Sequence, residues 1–191
     1  LNNLYGVDLM EEAVEICKLR LFLHAASTLT SRREIEPHPD LDFNVRPGNT
    51  ILGFCSRSEL EEVMGGSLDL EGDQERILAA CDEIATLHSD FRRAQAQGES
   101  IRASKDALRE SLSQLRSELD KHLLLRVGGV RAAAQSDWLT SNRPFHWFAE
   151  FHEIVERGGF DVIIGNPPYT EVPRNLSRAY LGQVYDTALE R

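Results

Sequence analysis

Asn166, Pro167, Pro168 and Tyr169 close a twelve-residue stretch, GGFDVIIGNPPY, that begins at Gly158. These residue types suit the handling of a planar amine. The side-chain oxygen of Asn166 and the carbonyl of Pro167 offer two acceptors to an NH2 group, and the ring of Tyr169 can stack on a flat heterocycle. Adenine, with its exocyclic amine, has that shape. Asn-Pro is also a common surface-turn dipeptide, so the chemistry depends on what precedes it. Phe160 to Ile164 is a short β-branched apolar run bounded by glycines, which predicts a parallel strand covered on both faces. Pro167 and Pro168 lack backbone donors and have fixed φ, so they end the strand and stiffen the loop. A rigid loop at the carboxyl end of a parallel strand lies on the edge where open α/β sheets bind ligands.

Two earlier segments carry similar strand ends. Leu4 to Val7 predicts a strand that ends at Asp8, with a helix beginning near Glu11. A carboxylate in that position can accept hydrogen bonds from both ribose hydroxyls of a nucleoside, and it can equally cap the helix. Val45 to Gly53, VRPGNTILG, predicts a further strand followed by a Gly48-Asn49 turn; Pro-Gly-Asn-Thr is also an ordinary turn sequence.

More than a hundred residues separate that turn from the Phe160 run, far more than a minimal crossover needs. Past a loop over Gly65 to Gly72, Ile77, Ile84 and Phe91 recur every seven residues with Leu78, Cys81 and Leu87 between them. After a break at Gln97 and Gly98 come Ile101, Leu108, Leu112, Leu115, Leu119 and Leu123. The spacing predicts two amphipathic helices in an antiparallel hairpin, ended by Gly128 and Gly129. Its charges interleave both signs, so the hairpin reads as a structural arm rather than a DNA clamp, with docking to another part of the protein or to a subunit as the functional alternative. Trp138, Phe145, Trp147, Phe148 and Phe151 then form an aromatic stretch suited to core packing or to lining a base pocket.

Composition narrows the classes. The 191 residues suit one domain of ordinary size, and 41% apolar residues provide for a core. A net charge of −10 is the wrong sign for gripping a nucleic-acid duplex. Arg174 and Arg178 supply local positive charge beyond Tyr169, read as solvated surface or as phosphate contacts. Cys17, Cys55 and Cys81 are odd in number and widely spaced, which fits a reducing cytosol rather than a disulfide framework. The histidines show no metal-ligand spacing, and no apolar stretch is long enough to cross a membrane. The expected location is cytoplasmic, with no metal and no membrane partner.

With NLYGVDLMEEAVEICKLRLFL, VRPGNTILG and FHWFAEFHEIVERGGFDVIIGNPPY in this order, the chain resembles the N6-adenine-specific DNA methyltransferases of restriction-modification type. The resemblance implies a partial doubly wound, Rossmann-like α/β core that uses S-adenosylmethionine, with the helical hairpin inserted. It divides the chain into a first core part over 1–64, the insertion over 65–129 and a second core part over 130–191. It makes Asn166, Pro167, Pro168 and Tyr169 the catalytic loop, and Asp8, Leu9 and Asn49 the cofactor-binding residues. Leu9 would touch the cofactor's adenine, or else be a plain core residue. Asn49 would meet the adenine edge where many relatives carry Asp. The implied partner is double-stranded DNA, gripped by a recognition domain outside this chain. Related enzymes use the same loop on RNA bases or glutamine amides, and a noncatalytic interaction module built on the hairpin is the alternative from another class. The chain opens at Leu1 without a Met and shows no Gly-rich turn before the first strand, so it reads as a fragment of a longer protein with weak or no cofactor binding by itself.

Overall fold

The computed structural model describes residues 3–28, 40–65, 71–128 and 130–166. In order these form β1 (Gly6–Asp8), α1 (Glu11–Ser27), β2 (Val45–Pro47), α2 (Arg57–Gly65), α3 (Glu71–Ala96), α4 (Arg102–Val127), α5 (Gln135–Asn142), α6 (Trp147–Glu150) and α7 (His152–Glu156). A 3-10 turn at Ala132–Ala134 leads into α5. The result is mostly helical, with β1 and β2 paired in parallel as a two-stranded sheet and α1 packed on both strands: a small α/β arrangement among the described residues.

The first strand lies slightly later than its apolar run suggests, so Asp8 is its last residue and Leu4 is exposed. Helix α1 starts at Glu11 as expected, and Glu11 and Glu12 in its first turn complement the positive end of the helix dipole. Met10, rather than Asp8, occupies the N-cap position and offers no side-chain cap. Asp8 acts one step earlier, its Oδ1 accepting the Met10 N–H at 2.8 Å.

The hairpin helices fall where the seven-residue spacing puts them. Ile77, Cys81, Ile84 and Phe91 on α3 and Leu108, Leu112, Leu115, Leu119 and Leu123 on α4 are all buried. Arg76 near the start of α3 pairs with Glu118 late in α4, as antiparallel helices require. Gly128 ends α4 at φ 65°, a conformation open to a residue without Cβ. The stripe does not close on itself alone: Phe43, Leu52, Phe54, Leu60, Met64, Phe148 and Ala149 belong to the same cluster, so the hairpin and the segments around the sheet share one core.

One expected strand is not formed among the described residues. The Phe160 to Ile164 run makes no strand pairing among the described residues, and past Phe160 it is not covered. Val162, Ile163 and Ile164 are 73%, 75% and 91% exposed. The reason is physical: β propensity becomes a strand only where a neighbour completes the hydrogen-bond ladder, and among the described residues no strand is paired with this run.

Candidate functional site

The parallel register aligns Gly6 with Val45, Val7 with Arg46 and Asp8 with Pro47, so both strands end at one level. The Gly48 N–H donates to the Asp8 carbonyl at 2.8 Å, which carries the pairing into the turn. The structure therefore brings Asp8, Leu9 and Asn49 to the carboxyl edge of the sheet. Asp8 is exposed. Among the described residues its side chain bonds only the Met10 N–H, through one oxygen, leaving the other for a ligand. Leu9 is 52% exposed, outside the core of the described residues, which leaves its side chain available for apolar contact. Asn49 is half-buried; its Oδ1 accepts the Ile51 N–H at 3.3 Å, and its side-chain NH2 makes no hydrogen bond among the described residues. A carboxylate oxygen, an apolar side chain and an amide at the end of parallel strands fit the ribose and adenine of a nucleoside cofactor.

The turn after β2 is held by the aromatic stretch. Asn49 N–H donates to the Arg143 carbonyl at 2.7 Å, Phe145 N–H to the Leu52 carbonyl at 2.8 Å, and Phe148 N–H to the Phe54 carbonyl at 3.2 Å. His146 Nδ1 accepts the Phe54 N–H at 3.2 Å, so in the neutral ring Nε2 bears the proton and donates to Asp120 of α4 at 3.1 Å. The approach is close enough to exclude side chains. A Cβ on Gly48 would lie 2.6 Å from Phe145 Cδ2, and one on Gly53, at φ 125°, 2.3 Å from the Phe145 carbonyl oxygen. Gly48→Ala is expected to cost about 1–3 kcal/mol in denaturant unfolding, because Phe145 is fully packed and must shift; wild-type stability would show that this contact yields freely.

Beneath the turn lies a buried ionic cluster that composition does not reveal. Glu150, 2% exposed, receives Arg46 of β2 at 2.9 Å and both Nε and Nη2 of Arg116 from α4, the latter at 3.0 Å. Arg46 also lies over the Phe43 ring at 5.5 Å. A second network ties the hairpin to α1 and to the segment before β2: Lys18 of α1 and Lys105 of α4 both pair with Asp42, and Lys105 also with Asp40. Burial pushes the Asp42 carboxyl up, but hydrogen bonds from Lys105 and Lys18 outweigh it and hold the group well below the usual carboxylate range.

The Phe160 to Asn166 run starts against the aromatic stretch. Phe160 packs edge-on against Tyr5 at 5.8 Å, Phe151 at 5.6 Å and Trp147 at 5.9 Å. Tyr5 leads into β1, and the Trp147 indole donates to the Thr50 carbonyl next to Asn49 at 3.1 Å. The aromatic stretch thus serves as packing between the two strand ends and the run toward Asn166. Asn166 itself is exposed. Pro167, Pro168 and Tyr169, with Arg174 and Arg178, lie outside the described residues. Sequence reasoning missed Arg143, Arg46 and Glu150. Only the rarity of a buried Glu could have hinted at the last, and nothing local marks the other two.

A sequence profile of the Eco57I restriction-modification methylases matches residues 2–190, and the chain belongs to that family. A protein of Methanocaldococcus jannaschii, provisionally named a type II restriction enzyme and methyltransferase, is 27% identical over an alignment covering 88% of this chain. The chain spans about 18% of that relative's length. No solved structure matches it. Among the described residues no helix is long and apolar enough to cross a membrane.

Proposed function

We propose that this chain is part of a site-specific DNA methyltransferase that transfers a methyl group from S-adenosylmethionine to the N6 amine of a flipped adenine, in restriction-modification or phage defence. The observation that carries the reading is the gathering of Asp8, Leu9 and Asn49 at the carboxyl ends of two parallel strands, in a member of a methylase family whose chain continues to Asn166-Pro167-Pro168-Tyr169.

In this reading Asp8 accepts hydrogen bonds from the cofactor's ribose, Leu9 packs on its adenine and Asn49 meets the adenine edge. S-adenosylmethionine, when bound, supplies an electrophilic methyl group. The oxygen of Asn166 and the carbonyl of Pro167 accept from the target amine, aim its lone pair and stabilise the positive charge developing on nitrogen, while Tyr169 stacks on the flipped base. Phosphate contacts fall to a basic recognition domain elsewhere, in keeping with a net charge of −10.

Two exposed apolar surfaces support a wider doubly wound sheet in the whole enzyme. One is Val162 to Ile164, the other the Ile16, Leu19 and Leu23 side of α1, where Val14 is the buried residue. Both suit burial against a further strand. The 65–129 segment is then an insertion that braces the core. An interaction module built on the hairpin is less well supported, because its apolar stripe is already buried in the shared core.

Labelled methyl transfer by the full-length enzyme to duplex DNA, RNA and protein tests the substrate. DNA is expected to accept label as N6-methyladenine, and Asn166→Ala and Tyr169→Ala each to lower the rate more than about tenfold, the loss of one positioned contact. Labelling of RNA or of glutamine amides instead, or near-normal variants, would refute the assignment.

A further inference from the structure

Arg143 joins the two halves of the carboxyl edge. It follows α5 in the left-handed conformation, φ 46° and ψ 62°, and is the one non-glycine residue with positive φ among the described residues. Its N–H closes the helix on the Leu139 carbonyl at 2.8 Å. Its own carbonyl accepts the Asn49 N–H at 2.7 Å, and Pro144 continues the contact as an isolated parallel bridge to Asn49. The guanidinium reaches the other way: Nη1 donates to the Leu9 carbonyl at 3.2 Å and pairs with Glu11 at 3.4 Å. One residue thus holds the loop after β1 with its side chain and the turn after β2 with its backbone.

A left-handed residue at a helix end is ordinarily glycine, since a Cβ there crowds the backbone. An arginine in that place forgoes the relaxed conformation. What it gains in exchange is the guanidinium contact to Leu9. The Leu9 carbonyl lies in the irregular segment between β1 and α1; the Gly48 N–H holds the Asp8 carbonyl and Asp8 Oδ1 holds the Met10 N–H, and the guanidinium adds the hold on the Leu9 carbonyl between them.

We propose that Arg143 is a positioning residue of the cofactor site, fixing Leu9 and reinforcing, beside the Gly48 to Asp8 hydrogen bond, the spacing between the Asp8–Leu9 loop and Asn49. The inference rests on the reading of Asp8, Leu9 and Asn49 as cofactor-binding residues. It predicts a separation that a merely structural role does not. Arg143→Gly keeps the carbonyl that holds Asn49 and relieves the backbone, but removes the guanidinium. In the full-length enzyme its thermal midpoint is expected to equal or exceed the parent's, while the Kd for S-adenosylmethionine measured by titration calorimetry rises about tenfold. The fall in kcat/KM should be carried mainly by the cofactor KM. Arg143→Lys, which retains a charged donor, should recover part of the affinity.

Unchanged affinity in Arg143→Gly, or a loss that only tracks a falling midpoint, overturns the inference. Asp8→Ala, measured alongside, tells the two failures apart. If Asp8→Ala weakens binding and Arg143→Gly does not, only the role of Arg143 fails. If neither weakens binding, the cofactor site itself is misplaced.

Discussion

Glu150→Ala is expected to destabilise the protein by about 3–5 kcal/mol, the loss that follows when one member of a buried ion cluster is removed and its partners stay behind. The carboxylate answers two guanidiniums, and they are not equally able to escape. The Arg116 side chain is 38% exposed and can turn to solvent, whereas that of Arg46 is 10% exposed, packed over Phe43, with its Nη1 already lacking a partner among the described residues. Removing Glu150 leaves Arg46 buried and unpaired in β2, directly before the Gly48-Asn49 turn. Glu150→Gln keeps the shape and loses the charge, so most of the effect should persist in it if electrostatics, rather than a cavity, is responsible. Denaturant unfolding measures both, and a cycle with Arg46→Ala should show strong coupling. A Glu150→Ala protein within about 1 kcal/mol of wild type would mean that water reaches the cluster and compensates it.

The second large effect concerns acid. His88 of α3 is buried, neither ring nitrogen has a hydrogen-bond partner among the described residues, and it packs edge-on against Phe43 at 5.3 Å. Burial pushes its pKa down to about 4; Arg92 and His152 push the same way and Glu150 opposes them. In the unfolded chain the imidazole takes up a proton near pH 6.5, and in the folded protein only near pH 4. Between those values the unfolded state holds the extra proton, so stability rises with pH. The contribution of the neutral ring is complete above about pH 6.5 and is lost as pH falls toward 4, on the order of 3 kcal/mol at about 1.4 kcal/mol per unit. His122 is lowered by burial in the same direction. His88→Leu should therefore reduce the pH slope of unfolding free energy by up to one proton without abolishing it, and leave stability at neutral pH unchanged or raised. An unchanged slope between pH 4 and 6.5 would show that solvent reaches the ring. Asp42 acts lower: its lowered pKa contributes stability present above the ordinary carboxylate range and lost below about pH 4.

These residues show which parts of the structure can be read from local pattern. Ile77, Ile84 and Phe91, with Leu108 through Leu123, announce their helices because helical burial repeats every three to four residues and leaves its trace within one segment. Asp8 and Asn49 were legible as strand-end residues, and the cofactor-binding roles proposed for them came from resemblance to a family. The Val162 to Ile164 run has the composition of a buried strand, and the structure leaves it open because a ladder is a property of two segments. Arg143 and Leu9 are 134 residues apart, and no periodicity carries information across that interval.

By itself, then, the sequence determined the helical hairpin, the polar residues that follow each predicted strand, and membership in a methylase family. Each is a matter of residue type at short spacing. Tertiary structure alone decided that the strand ends lie side by side and that Arg143 clamps them. It also decided that Glu150 anchors β2 to the hairpin and that the hairpin shares a core with the sheet's surroundings. The reason is the same in every case: whether a buried charge, a left-handed arginine or a glycine without space for a Cβ is tolerated depends on what the chain brings against it from far away.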